Sequence, residues 1–247
     1  MTILAVMQPT YMPWMGYFDL IDQADAFVFL DDVQLARQSW QTRNRIRGTN
    51  GAELMLSILV RHSGELDHSI AETRIAETKP WRKKHLRTIR QAYAKAPRGD
   101  EAASLWEMAL KNDDDRLGHF TSAAIGLVCK CLGIHTPTQR STMIPDTAER
   151  IERLIGLCRQ AGADTYLSPP GAAEYLHGDD APKRFESAGI SLVFQRYEHP
   201  VYDQARADFL SHLGIIDLLA HVGIDDALDL IRSGRRDPAV AGLHSQA

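Results

Sequence analysis

Apolar residues alternate along this chain between short unbroken runs and helically spaced positions. Ile3-Leu4-Ala5-Val6-Met7 is a continuous run of strand length, stopped by Gln8-Pro9-Thr10-Tyr11-Met12-Pro13. Such a run suits a strand buried on both faces, and the Pro-containing stop suits a turn. Trp14, Tyr17, Phe18 and Ile21 then recur at helical spacing, with Pro13 placed for the first turn. Ala26-Phe27-Val28-Phe29-Leu30 is a second apolar run and ends in Asp31-Asp32. Strand, helix and strand within about 30 residues predict a βαβ unit with parallel strands and a right-handed crossover.

Further along, Asn44-Arg45-Ile46-Arg47 and Leu54-Met55-Leu56-Ser57-Ile58-Leu59-Val60 flank Gly48-Thr49-Asn50-Gly51, a hairpin signature. Helical spacing dominates the insertion at about 79–133, with one helix near Trp81 to Ala96 and one or two between Asp100 and Leu132, broken at Pro97-Arg98-Gly99. A helix from about Thr147 to Ala161 follows, capped by Asp146 or Thr147 and closed by Gly162. Alternation then resumes: strand Thr165-Tyr166-Leu167, helix Pro182 to Ala188, strand Leu192 to Gln195, and helices near 215–220 and 225–231. The whole reads as α/β, a Rossmann-like parallel sheet with a β-hairpin and a helical insertion, in one domain over 1–233 with a flexible tail over 234–247.

Composition adds bounds. With 247 residues, 44% hydrophobic and 24% charged, the chain can bury a core without disulfides or metal. The 28 basic and 32 acidic residues leave a net charge of −4, which argues against coating nucleic acid through bulk charge. One local exception is Lys79, Arg82, Lys83, Lys84, Arg87 and Arg90, with Lys83, Arg87 and Arg90 on one helical face, suited to phosphates or to solvent. Cys129, Cys131 and Cys158 make no disulfide framework and read as small buried hydrophobes. No basic leader and no span-length apolar stretch is present, so a cytoplasmic protein without a membrane span is expected.

In an open parallel sheet, ligands bind beyond the carboxyl ends of the strands. Those ends carry Gln8, Thr10 and Tyr11; Asp31, Asp32 and Gln34; Ser168; and Tyr197, His199 and Tyr202. Asp31 and Asp32 suit a cation, an amine or general-base work. His199, between two tyrosines and followed by Pro200, is the histidine best placed to take a proton. The segment Gln38-Ser39-Trp40-Gln41-Thr42-Arg43-Asn44-Arg45 combines guanidiniums, amides and an indole, which suits an anionic or hydroxyl-rich ligand. No Gly-x-Ser-x-Gly elbow, Walker A loop, Gly-x-Gly-x-x-Gly fingerprint or His-rich metal motif occurs.

These residues also carry a resemblance. Gln8 to Phe18, Ala24 to Gln34, Ser39 to Arg45 and His199-Pro200-Val201-Tyr202 resemble the WbqC-like protein family, over essentially the whole chain to about Gly223. The resemblance implies a role in bacterial O-antigen or other surface-polysaccharide biosynthesis, with glycine transfer to an amino sugar as the suggested activity. Gly16-Tyr17-Phe18-Asp19-Leu20-Ile21-Asp22-Gln23-Ala24, after a strand and a Pro-Thr turn, is similar to the opening of adenylyltransferases of the His-x-Gly-His superfamily, implying a nucleotidyltransferase or HUP-like fold. The two histidines of that motif are replaced here by Trp14 and Tyr17. Thr147-Ala148-Glu149-Arg150 resembles that superfamily's later phosphate-binding Ser/Thr-x-x-Arg segment.

The resulting expectation is an acyl or aminoacyl transferase acting on an amino sugar or nucleotide sugar. Amide formation needs a deprotonated amine, a held acyl group and a stabilised oxyanion. His199 or Asp32 would be the base, Arg43 and Arg45 the anion clamps, Gln8 and Asn44 the oxyanion or acyl donors, and Trp14, Tyr17 and Trp40 the platform. The donor stays open between an adenylate made from ATP and a charged tRNA. Two alternatives stay open as well: a nucleotidyltransferase-like enzyme with an altered His-x-Gly-His site, and a non-catalytic binding protein of a polysaccharide pathway.

Overall fold

The computed structural model describes residues 1–61, 68–145, 148, 150–172, 176, 180–205 and 208–241. Its first half contains β1 (Ile3–Met7), α1 (Met15–Asp22), β2 (Ala26–Phe29) and the hairpin β3 (Arg43–Arg47) and β4 (Glu53–Ser57). Three helices follow, α2 (Trp81–Ala92), α3 (Gly99–Leu110) and α4 (Leu117–Leu132), and then the short β5 (Thr138–Arg140). The second half runs α5 (Arg150–Gln160), β6 (Thr165–Ser168), α6 (Ala181–Ser187), β7 (Ser191–Tyr197), α7 (Ile215–Val222), α8 (Ile224–Ser233) and β8 (Arg235–Val240).

The central sheet has the order β5-β2-β1-β6-β7-β8. All its pairings are parallel except β7 with β8. The order reverses between β1 and β6, so the connections leave β1 in opposite directions; sheets of this kind bind their ligands beyond the carboxyl end of the strand at that position. The apolar runs explain the layering. Leu4, Val6 and Val28 face α5 and α6. Ala5, Phe27 and Phe29, one residue out of step, face α1, α7 and α8, as the two-residue period of a strand requires. Helices α2 to α4 extend this second core without a break. Lying between sheet and helices, α1 buries Met15 through Ile21, and α4 ends on Gly133 at φ 76°, the left-handed conformation that favours glycine.

Two expectations fail here. The tail expected from 234 onward contains β8, whose Arg235 pairs with Tyr197 and Val240 with Val193. Arg-Arg-Asp-Pro has no strand signal of its own, and cross-strand pairing with β7 supplies what propensity does not. The sheet also gains β5, missed because three residues show no periodicity. Helix α5 begins at Arg150; the expected caps Asp146 and Thr147 lie outside the described residues.

Candidate functional site

The chain leaves β1 and turns sharply through Gln8 to Trp14. Tyr11 points inward and is 1% exposed, packed by Trp81, Trp106 and Phe120, with its hydroxyl 2.8 Å from His85 Nδ1. Tyr17 is also buried and donates its hydroxyl to Gln8 O at 3.0 Å. Both rings, expected at a ligand-facing surface, are buried, large apolar bodies whose polar tips find partners inside. Thr10 is buried, its Oγ1 donating to Gln8 O. Met12 sits at φ 49°, a conformation that costs a non-glycine residue about 1–3 kcal/mol. Asn44 Nδ2 holds that turn by donating to Tyr11 O at 3.1 Å and Met12 O at 2.8 Å. Its amide is thus a backbone clamp rather than the expected oxyanion donor.

What the turn presents is Trp14. Its indole stacks on His199 at 5.9 Å with a 12° interplanar angle and meets His212 at 4.6 Å. Tyr197 stands edge-on at 5.4 Å. Gly16 makes room for the ring: a Cβ there would lie 2.2 Å from the Trp14 indole. His199 Nδ1 lies 2.8 Å from Pro200 O. A carbonyl only accepts, so Nδ1 carries the proton and Nε2 keeps its lone pair. Burial, and then His212, pull the His199 pKa below the usual range against the Pro200 bond; burial and then Arg45 lower that of His212. Both rings are neutral near pH 7. The tyrosine hydroxyls have structural partners: Tyr197 donates to Ile231 O, and Tyr202 to Asp217 Oδ2 at 2.7 Å. Asp217, fully buried, also accepts from Tyr93 and Gln204 and so anchors the segment that carries His199 and His212.

The hairpin forms the opposite lip. Gln41 Nε2 donates to Gln8 Oε1 at 2.5 Å, joining it to the end of β1. Trp40 is 47% exposed, with Arg45 Cζ 5.5 Å from its ring centroid. Alternation puts Arg43, Arg45 and Arg47 on one face of β3. Arg47 is buried on Gln204 and Asp208. Arg45 pairs with Glu53 at 2.8 Å and reaches His212 O at 3.3 Å. Among the described residues Arg43, half-buried, has no acidic partner, and its Nε is sealed from solvent without a hydrogen bond.

Beyond β2 the arrangement is different. Asp31 is fully buried and accepts from Ser141 Oγ, Thr142 N, Thr142 Oγ1 and Arg140 Nη1 at 3.1–3.2 Å. Asp32 receives Arg153 Nη2 at 2.7 Å. Both carboxylates tie β2 to the end of β5 and to α5. Ser168 is buried, with Oγ bonded to Pro169 O; Gln34 is exposed and bridges to Ser69. Arg150 is exposed at φ 53°, and Thr147 lies outside the described residues. Arg82 of the basic run lies over Trp81 and pairs with Glu77, and Arg90 pairs with Glu107. Burial pushes the thiols of Cys129 and Cys158 up to about 12, so they stay protonated and inert. Among the described residues no His, Cys, Asp and Glu group is arranged to hold a metal ion, and no helix is long and apolar enough to cross a membrane.

Thus Trp14 and His199 meet His212, Arg45 joins His212 O to Trp40, Gln41 joins the hairpin to Gln8, and Arg43 shares the strand face of Arg45. His212 was not legible in sequence: one histidine of ten, in Ser211-His212-Leu213-Gly214, it reaches Trp14 only through the fold.

A model of the WbqC-like protein family matches residues 8–228, a range that contains every residue of this site. The chain is 32% identical over 235 residues to Rv1507c, an uncharacterized protein of Mycobacterium tuberculosis, with 94% of this chain and 99% of that protein covered. No solved structure matches.

Proposed function

The chain belongs to the WbqC-like protein family, and on that premise we propose that it is an acyl or aminoacyl transferase modifying the amino group of a sugar in surface-polysaccharide biosynthesis. The observation that carries the reading is the neutral His199 stacked on Trp14 at the carboxyl edge of the sheet. An indole face suits a sugar or base. In this reading the sugar amine attacks the carbonyl carbon of an activated acyl group, its nitrogen gives a proton to His199 Nε2, and the leaving group departs with the bonding pair. The proton then returns to the leaving group or to solvent. His212 stands beside the acceptor as a second neutral imidazole, and Gln8 lies close by as a donor to the acyl oxygen. The activated donor is an adenylate formed from ATP or a charged tRNA.

Mass spectrometry after incubation with amino sugars, glycine, ATP and glycyl-tRNA tests this. A glycylated sugar that disappears with folded His199→Gln supports the reading; no adduct from any combination sinks it. The nucleotidyltransferase alternative draws on the doubly wound strand order, with nucleotide binding beyond β1, and predicts pyrophosphate release from ATP or CTP.

A further inference from the structure

The three arginines on one face of β3 are not equivalent. Arg47 is enclosed by Gln204 and Asp208. Arg45 pairs with Glu53, and its two terminal nitrogens are engaged by Glu53 and His212 O. Arg43, at the start of β3, has neither an acid nor a hydrogen-bond acceptor among the described residues, although its Nε is buried. A guanidinium partly removed from water without a counter-charge loses solvation and gains nothing in return, so a fold that keeps it there has left a place for an anion.

Two further polar atoms of the same stretch are also buried without partners among the described residues: Ser39 Oγ and Arg45 Nε. Gln38, next to Ser39, holds φ 53°, and His212, whose carbonyl receives Arg45, holds φ 58°. The strained backbone thus falls on both segments that frame Arg45. The exposed Trp40 ring lies against the Arg45 guanidinium.

We infer that Ser39, Arg43 and Arg45 form a phosphate subsite beside the Trp14–His199 platform, so that the ligand of this site is a phosphate-bearing sugar or nucleotide. The Arg43 fork and the Ser39 hydroxyl, with the Arg45 charge beside them, suit a tetrahedral phosphate, which accepts on three oxygens, better than a carboxylate, which offers two. The inference rests on the proposed function for the identity of the sugar, and on the hairpin alone for the phosphate.

Binding is measured on the full chain by calorimetry and tryptophan fluorescence. The probes are uridine diphosphate, glucosamine 6-phosphate, uridine, glucosamine and acetate. Phosphate-bearing probes bind at least tenfold more tightly than their phosphate-free counterparts, and acetate does not displace them. Arg43→Gln removes that difference, Arg43→Lys keeps part of it, and Ser39→Ala weakens it less. Preference for uridine diphosphate over glucosamine 6-phosphate identifies a nucleotide-linked ligand, and the reverse a sugar phosphate; either supports the subsite. Equal affinity with and without phosphate, full displacement by acetate, or an Arg43→Gln protein that binds as the wild type overturns it. Phosphate binding without any transfer product leaves the subsite standing and removes the transferase reading. Transfer without an Arg43-dependent phosphate preference does the opposite.

Discussion

Two regions of the sheet's carboxyl edge carry similar residue types to opposite effect. Beyond β2, Asp31 and Asp32 meet Arg140, Ser141, Thr142 and Arg153, and both carboxylates have partners within 3.2 Å. Beyond β1 and β7, Trp14 stacks on His199 and meets His212, Met12 and His212 hold left-handed backbone, and among the described residues Arg43 has no counter-charge. The first arrangement is closed and rivets the sheet; the second is strained and incompletely satisfied. That difference separates a structural cluster from a candidate binding site better than residue type does, because Asp-Asp at a strand end and Trp-Arg in a hairpin look equally functional in sequence.

The contrast can be broken in four places. Asp31→Ala removes the acceptor for Arg140, Ser141 and Thr142 and leaves a half-buried cation behind; stability falls by about 3–5 kcal/mol, read from urea unfolding. A change below about 1 kcal/mol would mean that the closed half is not a rivet.

His85 supports the open half through Tyr11. Burial, and then Lys84, pull it down to about 4, whereas the unfolded chain takes its proton near 6.5. The stability contributed by the neutral ring is therefore complete above about 6.5 and is lost as pH falls toward 4, on the order of 3 kcal/mol in all. Unfolding followed from pH 7 to 4 in wild type and His85→Gln checks this: the variant shows a flatter profile across that window.

Gly16→Ala pits a helix preference of about 1 kcal/mol against a Cβ placed inside the Trp14 ring. Net stability moves by about 1 kcal/mol or less, while the near-ultraviolet dichroism of the aromatic stack changes and ligand affinity falls. An unchanged spectrum would show that Trp14 is not held as described. The smallest effect is on stability in Arg43→Gln, which shifts it by less than about 0.5 kcal/mol while abolishing the phosphate preference. A loss of several kcal/mol instead would place Arg43 with Asp31 among the rivets.

The buried runs at 3–7 and 26–30 and the helical spacing after Trp14 were legible because a strand covered on both faces must be apolar throughout. The hairpin was legible from its turn. Gln8, Trp14, Trp40, Arg43, Arg45 and His199 stand out as candidates in sequence because they follow strand ends or fill one polar, aromatic segment. Tyr11, Tyr17, Asp31 and Asn44 were misread: local sequence cannot say whether a polar tip at a strand end points to solvent or finds an interior partner. His212 carried no signal, since its only distinction is a ring 4.6 Å away that is nearly two hundred residues distant in the chain.

By itself the sequence determined the βαβ start, the helical insertion, the hairpin and the family, because these depend on local periodicity and on contiguous motifs. Only the tertiary structure decided that β8 joins the sheet, that Asp31 and Asp32 are engaged by Arg140, Ser141, Thr142 and Arg153, and that Trp14 meets His199 and His212. Each of those outcomes depends on contacts between segments separated in sequence, which no local pattern encodes.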